Sequence, residues 1–192
     1  MDELTSLARA AGRGDRAALA RLVRETQGEV WRLCSHLVDP GIADDLTQET
    51  YVRAIPALRG FRGDAPVRVW LLAIARRACV AEISARTRDR QLAARLTAIP
   101  GGTLGQPPAE PGPQAAADEL LAALEPDRRA AFVLTQMIGC SYAEAAGICG
   151  CPVGTIRSRV ARAREDLAAM TTDQDAVAPA RTAPANGSRG CR

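Results

Sequence analysis

The chain has 192 residues, 47% of them apolar, 24% charged and only 3% aromatic, and carries a formal net charge of +3. So few aromatic residues beside so much Ala, Leu and Arg favour helices and exclude a single large β-core, and the length suits one ordinary domain or two small ones. No stretch approaches the roughly 20 apolar residues of a membrane span, and the opening MDELTSLARAAGRGD is too polar for a secretory signal, so a cytoplasmic protein with no membrane partner is expected.

The charge is unevenly spread. Residues 59–90 carry eight arginines against three acids and residues 128–170 six against three, whereas residues 91–127 carry one against five. Every cation is arginine; lysine is absent. The planar guanidinium fork suits phosphate and guanine edges, so the two basic blocks are nucleic-acid candidates, with solvated helix faces as the plain alternative.

In chain order, apolar residues first recur at helical spacing from Asp15 onward: Leu19, Leu22, Val23, Val30, Leu33, Cys34 and Leu37. Asp39-Pro40-Gly41 breaks that run. A second helix is predicted over 42–54, with Ile42, Leu46, Thr50 and Ile55 near one side, ended by Pro56 and followed by the loop Arg59-Gly60-Phe61-Arg62-Gly63-Asp64. Pro66 suits a first helical turn, and Val69, Leu72, Ala73, Arg76 and Val80 carry a third helix to about Arg86. Trp70 falls on the apolar side of that helix and is expected in the core, while Phe61, in a loop, suits a core or a base-stacking place equally. Residues 97–113, TAIPGGTLGQPPAEPGP, read as a flexible linker, and residues 171–192 as a disordered tail.

Between them, residues 114–170 form a second small helical unit. Ser141-Tyr142-Ala143-Glu144 has capping-box spacing, so a helix starts there after Gly139. Gly150 and Pro152 end it, and VGTIRSRVARAREDLAAM continues as another helix. In that helix Ile156, Val160, Ala163 and Leu167 make a buried stripe, leaving Arg157, Ser158, Ala161, Arg162 and Glu165 on the other side. A short helix, a glycine turn and an arginine-bearing helix together spell a helix-turn-helix, whose second helix reads base edges in the major groove.

In this order, DLTQETYVRA, FRGDAP, WLLAIARR and GTIRSRVARAR make the chain similar to bacterial sigma factors of the extracytoplasmic-function (ECF) type, over roughly 15–90 and 114–170. The stretch CGCPVGTIRSRVARAR is reminiscent of actinobacterial members of the sigma C type. The resemblance implies an all-α chain of two small helical domains: a region 2 bundle over 1–92, a flexible linker over 93–113, a region 4 helix-turn-helix over 114–170, and a tail. It implies that Asp45, Gln48, Glu49 and Arg53 bind core RNA polymerase, on the clamp helices of the largest subunit, with the flap of the second-largest subunit as a further contact. It implies that Phe61, Arg62, Asp64, Arg68, Arg76 and Arg77 engage the −10 promoter element, and that Thr155, Arg157, Ser158 and Arg162 read the −35 element. An exposed acidic patch repels DNA and suits a basic protein helix, whereas the surplus of arginine over 59–90 suits an opened strand. Promoter DNA, core polymerase and an anti-sigma factor are the partners so implied, with a monomer when free.

Six cysteines remain: Cys34, Cys79, Cys140, Cys149, Cys151 and Cys191. In a cytosolic protein they are expected as thiols. Cys149-Gly-Cys151 is a poor zinc spacing with no second ligand pair, and both residues flank a turn that usually buries small side chains. His36 has no catalytic partner in sequence, and no nucleotide loop or nucleophile–base pair is present, so neither a cofactor nor an enzymatic activity is expected. Two rival readings are a freestanding dimeric helix-turn-helix regulator, which needs no 45–54 patch, and a thiol or zinc sensor acting through protein contacts.

Overall fold

The computed structural model describes residues 2–96 and 113–177, and every regular element among them is helical. Four helices, α1 (Glu3–Gly12), α2 (Arg16–Leu37), α3 (Ala43–Ala57) and α4 (Val67–Leu96), form the first unit. Four more, α5 (Pro113–Ala123), α6 (Pro126–Phe132), α7 (Tyr142–Cys149) and α8 (Val153–Val177), form the second.

Side chains set most starts. Asp2 accepts from the Thr5 amide at 2.6 Å to begin α1, and Asp15 accepts from Ala17 and Ala18 at 2.9 and 3.0 Å to begin α2. Glu125 does the same for α6, accepting from Asp127 at 3.1 Å and Arg128 at 3.0 Å, with Pro126 in the first turn. Asp39 accepts from Gly41 at 2.7 Å and holds a single 3₁₀ turn, Pro40–Ile42, between α2 and α3.

The core of the first unit follows the predicted α2 stripe: Leu22, Val30, Leu33, Cys34 and Leu37 are all buried. Leu46, Thr50 and Ala54 of α3 meet them, and Thr50 is tolerated at full burial because its hydroxyl donates to the Leu46 carbonyl at 2.7 Å. Tyr51 and Thr26 share a buried 2.7 Å hydrogen bond between α3 and α2.

Several expected details differ. Helix α1 was not predicted, although Leu4, Leu7, Ala8 and Ala11 lie at helical spacing behind the Asp2 cap and pack on the core. Ile55 is 40% exposed and Ala54 takes the inward place. Pro56 lies inside α3 rather than after it; the helix ends one residue later, so the proline removes one bond at a fraying end. Val80 is exposed, and α4 continues ten residues beyond Arg86, through Leu96, with every residue of 87–94 exposed. Helix α8 likewise runs to Val177, into the expected tail. The remainder of the linker and the tail lie outside the described residues.

The two units do not stand apart. Helix α7 packs on α4, α5 and α6 touch α2, and the apolar core is continuous from one unit into the other. His36 of α2 faces Asp118 of α5 at 3.5 Å, and Arg129 of α6 donates to the Leu37 carbonyl at the end of α2, 3.0 Å away, and to the Ala122 carbonyl at the end of α5. Burial lowers the pKa of that guanidinium.

The close approach at Gly12 gives a direct test. A Cβ there overlaps the backbone carbonyl oxygen of Leu58, whereas one at Gly28, also inside a helix, meets nothing. Gly12→Ala is expected to destabilise the first unit by about 1–3 kcal/mol. Gly28→Ala should be neutral or stabilising by up to about 1 kcal/mol. Urea unfolding of both variants measures the difference.

Candidate protein and nucleic-acid interfaces

Helix α3 presents its polar side to solvent: Asp44, Asp45, Gln48 and Glu49 are exposed, opposite the buried Leu46, Thr50 and Ala54. Asp44 and Asp45 sit in the first turn, where the helix dipole favours negative charge. Arg53 pairs with Glu49 one turn away, so the acidic face ends in a single compensated arginine.

The loop 61–66 is braced from behind. Arg9 of α1 donates to the Arg62 carbonyl at 2.7 Å, and Thr5 Oγ1 accepts from the buried Val67 amide at 3.0 Å, capping α4 from another helix. Gly63 has φ +77°, and a Cβ there meets the Arg9 guanidinium, so glycine suits this turn twice over. Phe61 and Trp70 rings lie 5.2 Å apart at 48°, both partly buried and packed on the core. They line, with Arg62 and Asp64, an open cavity of about 250 Å³. Arg62 donates to Asp64 at 3.0 Å in the open, and both side chains remain available.

The arginines of α4 divide into two kinds. Arg77 is exposed. Arg68 donates to Glu29 Oε1 at 2.5 and 2.8 Å, to Glu29 Oε2 at 3.0 Å and to the Ile138 carbonyl at 3.0 Å, while its other nitrogen lies 3.5 Å from Glu144. The Glu29 hydrogen bonds, against the desolvation of this partly buried group, raise its pKa further. Arg76 donates to Asp127 at 3.0 Å and is only 15% exposed. Two of the residues expected at the −10 element thus meet the second unit.

The helix-turn-helix forms as predicted. Ser141 Oγ accepts from the Glu144 amide at 3.2 Å, and Glu144 accepts in return from the Ser141 amide at 2.8 Å. Gly139 and Gly150 have φ +77° and +66°, ending the preceding turn and α7 in the left-handed region. Ile156, Val160 and Ala163 of α8 are buried, and Arg157, Ser158 and Arg162 are exposed on the other side. Thr155 is half-buried at the helix start, where its carbonyl accepts from the Ser158 hydroxyl at 3.0 Å. The sequence reading passed over Arg159, which pairs with Asp127 and reaches Cys151 Sγ at 3.6 Å. Its place between the stripe and the exposed face was the available signal.

The cysteines sit in packing positions. Cys34 and Cys79 are both buried in the first unit, and the neighbouring Cys34 thiol together with burial holds Cys79 far above the usual thiol range. Burial pushes Cys140 up to about 11 and also raises Cys149. Cys79, Cys140 and Cys149 are therefore poor nucleophiles. Cys149 and Cys151 are half-buried rather than fully enclosed. No group of three or more His, Cys, Asp or Glu among the described residues could hold a metal ion.

The capping box carries a pH signature. Hydrogen bonds from the Ser141 amide and hydroxyl hold the Glu144 pKa below the ordinary glutamate value. Its contribution is therefore complete above the ordinary carboxylate range and is lost as pH falls through the lowered value. Ser141→Ala should cost about 1 kcal/mol at neutral pH. Glu144→Gln should cost less, and its difference from the parent should close on acidification in paired thermal melts.

The chain matches two family models, Sigma-70 region 2 over residues 22–89 and Sigma-70, region 4 over residues 114–167. It is 44% identical over 176 residues to a probable RNA polymerase sigma-C factor of Mycobacterium bovis, covering 91% of this chain and 94% of that one. It is 35% identical over 168 residues to the ECF RNA polymerase sigma-E factor of Escherichia coli K12, covering 81% and 87%. Among solved structures it resembles CnrH in complex with the cytosolic domain of CnrY, with TM-score 0.68, 28% identity and 92% and 100% coverage. It also resembles the sigma factor RpoE of Bartonella quintana in complex with the anti-sigma factor NepR, with TM-score 0.66, 27% identity and 80% and 96% coverage.

Proposed function

The chain belongs to the sigma-70 family as an alternative sigma factor of the ECF type, and from that premise we propose how its surfaces divide the work of transcription initiation. A sigma factor binds core RNA polymerase and promoter DNA and is not an enzyme; it lends sequence recognition to the polymerase. The observation that carries the division is that one chain bears an exposed acidic helix face, Asp45–Glu49, and a separate arginine-bearing recognition helix.

Asp45, Gln48, Glu49 and Arg53 dock on the polymerase clamp helices, and region 4 approaches the flap of the second-largest subunit. Arg157, Ser158 and Arg162 enter the −35 major groove with Thr155 at the helix start, where arginine forks and a hydroxyl match base edges and phosphates. Phe61, Arg62 and Asp64 surround a cavity of a size for one unstacked base, with the Phe61 and Trp70 rings as apolar wall. Arg68, Arg76 and Arg77 follow the melted strand's phosphates. The domains divide at the residues outside the structure, with region 2 before them and region 4 after. An anti-sigma factor is a third partner, as in the complex of RpoE with NepR. The factor acts where the polymerase is, in the cytoplasm; no described helix is long and apolar enough to cross a membrane.

Transcription from a randomised promoter library, with core polymerase and with or without this protein, tests the reading. Asp45→Arg with Glu49→Arg should abolish co-elution with core and all transcription while the chain stays folded, its melt lowered only by the small cost of positive charge in the first turn of α3 and beside Arg53. Arg157→Ala and Arg162→Ala should each lose about 1–3 kcal/mol of promoter binding, roughly fivefold to more than a hundredfold, and keep core binding. Tight, specific duplex binding by the isolated chain, unaffected by the reversal, would assign it instead to the freestanding regulators.

A further inference from the structure

A cavity of about 260 Å³ opens beside the C-terminal end of α2, and none of its lining residues is among those assigned to promoter or polymerase. Three guanidinium groups line it, Arg86 and Arg90 one turn apart on α4 and Arg129 on α6, with Val38 and Ile83 as apolar wall. None of the described residues that line it is acidic. Arg129 stands out among the partly buried arginines. It donates only to carbonyl oxygens, of Leu37 at 3.0 Å, of Leu124 at 3.3 Å and of Ala122, and its Nε is buried with no hydrogen-bond partner. Arg68, Arg76, Arg86, Arg128 and Arg159 each meet a carboxylate. A cation withdrawn from water without a counter-charge is costly, and burial lowers the Arg129 pKa accordingly. Arg90 is exposed and makes no ion pair with a described residue. Of the three, Arg86 alone has carboxylate partners, Glu82 at 2.7 Å and Asp39 at 3.7 Å.

We propose that this cavity is a binding site for a small phosphate compound, whose doubly charged phosphoryl group supplies the counter-charge that Arg129 lacks. The site stands apart from the promoter and polymerase roles and does not depend on them. Guanidinium forks match the paired oxygens of a phosphoryl group, and three of them around one recess with apolar walls concentrate the field that draws an anion in. The volume falls just below the roughly 300–1,000 Å³ of sites for drug-sized ligands, which suits a phosphoryl group with a small substituent rather than a dinucleotide. Val38 and Ile83 offer that substituent an apolar surface. A nucleic-acid backbone carries the same chemistry, but it lies along exposed cations such as Arg90, whereas Arg129 is recessed. Because the lining residues come from α2, α4, α5 and α6, occupancy registers in the melting of the whole chain.

Calorimetric titration of the full chain, in chloride buffer free of phosphate and sulfate, tests this with inorganic phosphate and phenyl phosphate as probes. Both should bind at one site, phenyl phosphate the more tightly. At about 100 times Kd, either should raise Tm by roughly 5 °C or more. The Nε–H resonance of Arg129 should shift on binding. Arg90→Gln, at an exposed position where the fold is not at risk, should weaken binding about tenfold or more, and Arg86→Gln added to it should abolish binding. Arg24→Gln removes the same charge from an exposed position on α2 and should bind as the parent does. If neither probe gives heat or a rise in Tm, the site is refuted. It is equally refuted if Arg90→Gln and Arg24→Gln bind alike, since the phosphate then meets only the net positive charge. If a short single strand of DNA shifts the Arg129 resonance and the free phosphates do not, the ligand is a nucleic-acid backbone and the proposal falls.

Discussion

Helix α4 is enclosed from two directions, and the arrangement of the rest of the protein follows from that. Leu71, Leu72, Ala75, Ala78 and Cys79 are buried in a helix that packs on α2, on α3 and on α7. A helix with one apolar stripe needs one partner layer; a helix apolar nearly all round must be covered on both sides. Region 2 by itself supplies α2 and α3 as one layer. The second layer comes from region 4, so the helix proposed to engage promoter DNA also holds the two halves together.

Charge is distributed in keeping with that double duty. All 25 basic residues are arginines, and their fates differ. Arg68, Arg76, Arg128, Arg129 and Arg159 are spent on carboxylates and carbonyls within the fold, whereas Arg77, Arg157 and Arg162 face water. A guanidinium serves both uses because it can satisfy several acceptors at once without losing its charge. The exposed acids of α3 lie on a different surface, so the attraction to a basic protein helix and the attraction to phosphate do not interfere.

A small element has a large positional effect. Helix α1 contributes little core, yet Thr5 caps α4 and Arg9 holds the Arg62 carbonyl, so the loop that shapes the Phe61 cavity is fixed by residues more than fifty positions away. Recognition loops are precise when supported by such hydrogen bonds and by locked glycine turns, and less so when left to themselves.

Helices α2, α3, α4, α7 and α8, the helical character of residues 114–170, the capping box at Ser141, the glycine turn at Gly150 and the exposed sides of α3 and α8 were legible in the sequence. Each of these is a local matter of apolar period, cap chemistry or left-handed backbone, all written within a dozen residues. The DLTQETYVRA and GTIRSRVARAR motifs, in order, were enough to place the family. Helix α1, the inward turn of Ala54 in place of Ile55, the length of α4 and the pairing of Arg76 and Arg159 through Asp127 were decided only by the tertiary structure. An exposed arginine and one tied across a domain contact have the same neighbours in sequence, and which it becomes depends on a carboxylate brought to it from 51 residues away.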